Sequence, residues 1–304
     1  MAHTRPSFLQ DLAWRLQAAA YDGLTAVLRL FPVDRVSDFG AWLGPMIGPL
    51  TSLNQVAETN LRIAFPESSD AEIARLLRAQ WQEIGRTIVE YPLLDRITAE
   101  PGRVEVVGEQ RLAGIAASGK PVVFISGHFS NFEAMAWAIV HAGVPCQVTY
   151  RATNNPYFDE SIRKARYRYG VRRFAPKGLA SARELMRAMA RGESVALMND
   201  QKYNGGIAAP LFGRTAHTAQ GPTTYALRFG VPLQPMSVQR THRARFRVVV
   251  HDPIELADTG DREADIEAGV RRVNAFMEAR IRERPAEWFW VHKRWPNEVY
   301  KTPR

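Results

Sequence analysis

From residue 104 onward the chain exchanges short β-branched runs with longer helical windows, and no other feature restricts the fold as tightly. Strand-like runs fall at 104–107, 121–126, 145–150, 171–175, 194–198, 232–240 and 245–250. Helical windows lie among them at 109–118, 130–142, 156–169, 179–191 and 217–229, with a final helix at 262–283. A strand that returns parallel to its predecessor needs a long crossover, usually a helix. The pattern therefore predicts an α/β fold with a mostly parallel central sheet flanked by helices. Only residues 240–243 join the last two strands. That is too short for a crossover, so an antiparallel hairpin at one sheet edge is expected.

Upstream of the sheet the sequence is helical. Residues 7–31 place Leu9, Leu12, Leu16, Ala20, Leu24, Val27, Leu28 and Phe31 on one face, with Arg15, Asp22 and Arg29 on the other side. Such a stripe either packs on its own domain or lies on a membrane surface. Residues 39–57 carry no charge, yet Gly40, Gly44, Pro45, Gly48 and Pro49 interrupt them. That composition favours a broken or interfacial element over a spanning helix. Residues 70–96 form another amphipathic region, and no secretory signal is evident.

Within this frame, one stretch carries the most chemistry: Val122-Val-Phe-Ile-Ser-Gly-His-Phe-Ser-Asn-Phe-Glu133. The apolar run reads as a buried strand, and Ser130 with Glu133 makes the S-x-x-E pattern that opens a helix. His128 then sits on a tight strand-to-helix turn at the carboxyl end of a strand, where open α/β sheets place ligands. Glu133 has two readings, a capping-box carboxylate or a group that reaches back to one ring nitrogen of His128. Arg151 follows the next strand, with Asn155 just beyond, and a guanidinium there can hold a phosphate or carboxylate. A further strand ends in Asn199-Asp200-Gln201-Lys202. Three strands thus deliver polar groups to one edge, a coincidence that supports a site.

The net charge of +9 selects anionic partners: nucleic acid, anionic lipid, phosphorylated small molecules or an acidic carrier protein. Arg163, Lys164, Arg166, Arg168, Arg172 and Arg173 form a basic cluster interleaved with Tyr167 and Tyr169, fit for RNA, for an acidic protein or for plain solvation. The tail Glu287-Trp-Phe-Trp-Val-His-Lys-Arg-Trp295 sets His292, Lys293 and Arg294 among tryptophans. It reads as an aromatic plug at Trp288 or Trp290, as a phosphate site at the cations, and as a membrane-interface anchor at Trp295. Cys146, the single cysteine, excludes an intrachain disulfide and reads as an inert buried thiol. The scattered histidines disfavour a metal site. The chain has no nucleophile elbow, P-loop or dinucleotide fingerprint, so hydrolase, NTPase and dehydrogenase readings lose their usual support.

Taken in order, Asn60-Leu-Arg-Ile-Ala-Phe-Pro66, Gly127-His128 with Glu133, Tyr150-Arg151 with Asn155-Pro156, Asp200, Pro210-Leu-Phe-Gly213 with Thr218, and Pro285 to Trp295 resemble the bacterial lipid A biosynthesis acyltransferases. These are the lauroyl and myristoyl transferases, within the wider group that carries H-x4-D or H-x4-E. The resemblance implies one acyltransferase domain over 1–304, with a membrane-associating helical region at 1–60 and an α/β catalytic core at 100–304. It also implies acyl carrier protein as donor, an anionic lipid A precursor as acceptor, no cofactor and no nucleic acid. Its place is the cytoplasmic face of the inner membrane, peripheral or shallowly inserted.

In that reading His128 is the general base, since an imidazole titrates near ~6.5, and Glu133 orients it. The developing oxyanion meets backbone N–H groups near Ser130, or Arg151. Arg151, Asn155, Asp200, Lys202, His292, Lys293 and Arg294 are the candidate substrate-binding residues, and the 163–173 cluster docks the carrier. Acylation of a lysophospholipid or another glycolipid is the alternative within the same chemistry. A non-catalytic membrane-surface or RNA-binding protein is the alternative outside it.

Overall fold

The computed structural model describes residues 6–150, 152–176 and 179–301. The chain begins with five helices, α1 (Phe8–Leu28), α2 (Val33–Ile47), α3 (Leu53–Ala64), α4 (Asp70–Glu90) and α5 (Leu94–Ala99). The alternating part follows as β1 (Val104–Val107), α6 (Glu109–Ser118), β2 (Val123–Ser126), α7 (Glu133–His141), β3 (Cys146–Tyr150), α8 (Pro156–Arg168), β4 (Phe174–Pro176), α9 (Leu179–Ala190) and β5 (Ser194–Met198). Then come β6 (Ile207–Leu211), β7 (Arg214–Thr218), α10 (Gly221–Phe229), β8 (Leu233–His242), β9 (Arg245–Val250) and α11 (Arg262–Glu283).

Seven strands form the main sheet in the order β1-β9-β8-β2-β5-β3-β4. β8, β2, β5, β3 and β4 run parallel, while β9 reverses against β8 and pairs parallel with β1. The expected hairpin therefore exists but is not the sheet edge, because β1 covers its outer strand. Two elements depart from the sequence pattern. β6 and β7 make a separate hairpin where no strand was expected, and the helix expected over 217–229 starts after it, at Gly221. Its two turn residues, Phe212 and Gly213, both have positive φ (52° and 69°), as the twist of a two-residue hairpin demands. The start of α7 also differs: Ser130 lies at φ 42° and its side chain caps nothing, so the S-x-x-E pattern is not a capping box here.

The glycines and prolines of 39–57 have a packing role as well as a breaking one. A short 3-10 turn at Gly48–Leu50 separates α2 from α3. Upstream, Gly40 and Gly44 lie flush against Gly85 of α4, where a Cβ on Gly44 would come within 2.0 Å of the Trp81 carbonyl. A capping box is found at Ser69 and Glu72, which open α4.

α1 buries Ala18, Thr25 and Leu28 and is tied to α8 by polar bonds along one side. Tyr157 Oη donates to Asp11, and Asn155 Nδ2 donates to Trp14 O and Gln17 Oε1, fastening α1 to α8. Most of the apolar stripe faces outward, with Phe8 81% and Leu16 63% exposed and Leu9, Leu24 and Val27 exposed beside them, while Leu28 at its end is buried. Phe39, Trp42, Met46, Ile47 and Leu50 are also exposed, along α2 and the following turn. Among the described residues no helix is long and apolar enough to cross a membrane.

Candidate active site

β2 and β5 are neighbours in register, so the residues after their carboxyl ends meet. His128 follows β2 and Asp200 follows β5. Asp200 Oδ1 lies 2.8 Å from His128 Nδ1, and Oδ2 accepts the His128 backbone N–H at 2.8 Å. Trp288 Nε1 also donates to Oδ2, at 2.8 Å. Gly127 makes this approach possible, since a Cβ there would stand 2.8 Å from the Phe129 ring and 3.2 Å from Asp200 Cβ. The Asp200 side chain is 1% exposed, against 17% for His128. Burial pushes the Asp200 carboxyl up. The adjoining imidazole and three hydrogen bonds outweigh burial and hold it far below the usual carboxylate range. An acceptor at Nδ1 leaves Nε2 of a neutral imidazole free to take a proton.

Residues after α11 complete the turn. Ser130 N donates to Glu287 O, Phe289 N donates to His128 O, and Phe129 bridges to Trp288. Asn60 Nδ2 in turn donates to the carbonyls of Trp290 and His292. His128 also lines an apolar cavity of about 510 Å³ between the sheet and helices α7 and α8. Phe124, Met135, Ile139, Val148 and Leu197 form much of its wall. At the same opening His292 stands 5.8 Å from His128, ring centre to ring centre, and its Nε2 is 2.9 Å from Gln201 Nε2.

Several expected roles need correction. Glu133 does not orient His128. Both its oxygens are engaged by the Arg166 guanidinium, and Tyr169 Oη donates to it as well. Asp200, expected on the substrate side, holds the imidazole instead. Asn155 is not a substrate ligand, because its Oδ1 caps α8 while its amide holds α1. Arg294 is buried, donating to Thr218 Oγ1 and the His217 carbonyl, and burial pushes its guanidinium down to about 10. Trp295 is buried too, so it belongs to the plug with Trp288 and Trp290 and not to a membrane interface. Lys202 reaches Asn297, and Lys293 lies over the Tyr300 ring. Arg151 lies outside the described residues. Sequence reading missed Trp288 and Gln201 as parts of the site and Arg166 as the partner of Glu133. The clustered tryptophans of the tail and the buried position of Glu133 in α7 are the signals that lead to them.

Fold and site together define an α/β protein with an imidazole–carboxylate pair set over an apolar pocket at the carboxyl edge of parallel strands. The sequence profile of the bacterial lipid A biosynthesis acyltransferases matches residues 4–297, and the chain belongs to that family. It is therefore an acyltransferase. It is 23% identical over 262 residues to the Lipid A biosynthesis palmitoleoyltransferase of Escherichia coli K12, covering 84% of this chain and 83% of that one. It is 24% identical over 258 residues to the lauroyltransferase of the same strain, covering 82% and 81%. Among solved structures, the 1-acyl-sn-glycerophosphate acyltransferase PlsC of Thermotoga maritima aligns at a TM-score of 0.35 and 13% identity, over 81% of this chain and 95% of that chain.

Proposed function

We propose that this chain moves a fatty acyl group from an acyl carrier protein thioester to a hydroxyl of a lipid A precursor, with His128 as general base held by Asp200. The observation that carries the reading is the 2.8 Å contact between His128 Nδ1 and Asp200 at the opening of an apolar cavity. The cavity takes the acyl chain, and the acceptor hydroxyl attacks the thioester carbonyl as His128 Nε2 removes its proton. No enzyme nucleophile is needed, in keeping with the inert character of Cys146, which is buried and whose thiol burial pushes far up. His292, Lys202 and Lys293 serve the acceptor side, where its anionic groups meet cations. The exposed members of the 163–173 cluster dock the acidic carrier. Arg166 is excepted, because it is buried against Glu133.

The chain acts at a membrane surface, the outward apolar stripe of α1 and the exposed face of α2 entering the headgroup boundary. A lipid-dissolved acceptor then reaches the pocket without leaving the bilayer.

The test uses purified full-length protein, acyl carrier thioesters of graded chain length and a lipid A precursor, with the product weighed by mass spectrometry. His128→Ala should lower kcat by about 10²–10⁴-fold with the fold intact. Transfer at the wild-type rate by folded His128→Ala would overturn the mechanism. A product formed only from a lysophospholipid would overturn the acceptor.

A further inference from the structure

We propose that the groove between α2 and α4 holds one anionic phospholipid of the bilayer, its phosphate on Arg78 and an acyl chain along Trp42 and Met46. The inference rests on the membrane-surface reading above and names the lipid class that this surface selects. The groove has a volume of about 410 Å³. Ala41, Trp42, Pro45 and Met46 line it from α2, and Arg78 and Gln82 line it from α4.

Its shape follows from the glycines. Gly40 and Gly44 sit so close to α4 that a Cβ on Gly40 would come within 2.4 Å of the Gly85 carbonyl oxygen. Helices that touch backbone to backbone along one line leave a furrow beside it. One position further round α2, residues 41 and 45 border that furrow. One position further still, Trp42 and Met46 form its outer lip and are more than half exposed. An indole suits such a boundary, because its ring is apolar while its N–H keeps a polar partner.

The charge of the groove is equally specific. Residues 39–57 carry none, so the α2 wall offers Arg78 no counter-ion. Nor does α4, where the positions three and four away are Ala74, Arg75, Trp81 and Gln82. The exposed Arg78 makes no ion pair among the described residues, and the half-buried Gln82 side chain makes no hydrogen bond among them. A free guanidinium and a free amide therefore stand one helical turn apart above a strip of indole, thioether and proline ring. A phospholipid matches this pattern end to end. Two phosphate oxygens accept from Arg78 in parallel, the Gln82 amide meets the ester or headgroup oxygens, and the chain lies on Met46 and Pro45. A zwitterionic headgroup would bring its own cation toward Arg78, so the anionic lipid is the better fit. The net charge of +9 draws the protein to the same surface.

The groove stands apart from the reaction. α4 meets the His128 turn at Thr87, whose Oγ1 donates to Ser130 O, and the helix rises roughly 13 Å from Arg78 to that point. The lipid orients the protein on the bilayer and takes no part in acyl transfer.

Full-length wild type, Arg78→Gln, and Trp42→Ala with Met46→Ala are released from detergent micelles by native mass spectrometry, with phosphatidylglycerol or phosphatidylcholine added. Melting curves accompany each. Wild type is expected to keep one phosphatidylglycerol and no phosphatidylcholine. Arg78→Gln should weaken that retention by at least about fivefold, and the paired variant should abolish it. All three should transfer acyl groups in micelles at the wild-type rate. Wild-type retention of phosphatidylglycerol by either folded variant, or equal retention of phosphatidylcholine, overturns the proposal. Displacement of the phosphatidylglycerol by an equal concentration of lipid A precursor makes the groove an acceptor site and overturns it too. Vesicle sedimentation separates the two readings. Wild type that holds one phosphatidylglycerol yet fails to sediment with phosphatidylglycerol vesicles leaves the groove standing and defeats the membrane-surface reading.

Discussion

Changing Asp200 to Asn tests the imidazole–carboxylate pair at its centre. Asp200 Oδ2 accepts two N–H groups, from the His128 backbone and Trp288, whereas Oδ1 meets only the His128 ring. An asparagine there has one oxygen, and the two donors draw it to the Oδ2 position. Its amide then faces Nδ1 and donates, so the imidazole must accept at Nδ1 and carry its proton on Nε2. That tautomer cannot take the acceptor's proton. The lost charge adds to the effect. A unit charge about 4 Å from the imidazolium contributes about 4 kcal/mol at an effective dielectric of 20, and about 1.4 kcal/mol is tenfold in rate. The two effects overlap, so kcat should fall by roughly 10³–10⁴-fold. The assay is initial-rate transfer from acyl carrier thioester to lipid A precursor, read by mass spectrometry, with circular dichroism to verify the fold. A folded Asp200→Asn protein within a few-fold of wild type would refute the assignment.

Two further outcomes follow from the same structure. Burial pushes Glu287 up to about 7 despite the Arg240 N–H that it accepts, so the folded state holds this proton more tightly than the unfolded one. Its contribution to stability should therefore fall by up to about 3 kcal/mol as pH rises from about 4.5 to 7. Burial pushes His251 down to about 4, so its contribution rises with pH over about 4 to 6.5 and opposes Glu287. Glu287→Gln should thus leave a net rise in urea-melt stability over this range; an unchanged slope would sink the assignment. At the other end of the chain, Leu12→Asp with Leu16→Asp removes two exposed leucines from the outward stripe, each worth up to about 1.5–3 kcal/mol when fully buried. Sedimentation with anionic vesicles should drop sharply while the melting temperature holds; equal sedimentation would place the membrane contact elsewhere.

Much of this architecture was legible in one dimension, and its limits are physical. Strand periods and crossover lengths fixed the parallel core and set His128 at a carboxyl edge, because those depend on neighbours in sequence. The partner of His128 was not legible. Glu133 is near in sequence, but α7 turns it toward Arg166 and Tyr169, while strand adjacency brings Asp200 across 72 residues. The β6–β7 hairpin was obscured by Pro210 and by alanines that lack strand preference. On α1 the stripe was plain, but periodicity does not say which face looks inward. The inward side is the one that buries Ala18, Thr25 and Leu28, beside the bonds of Asp11 and Gln17 to Tyr157 and Asn155.

The bonds that bind residues 287–292 to the His128 turn are expected to be among the last to form. Asn60 meets the Trp290 carbonyl across 230 residues, and Trp288 reaches Asp200 across 88. Closing loops of that length is entropically expensive and slow relative to building helices and adjacent strands. Strand adjacency can therefore bring Asp200 to His128 before the tail fixes the turn around them. A chain halted short of that closure is expected to hold the His128–Asp200 pair without the Trp288 and backbone bonds that fix it in place.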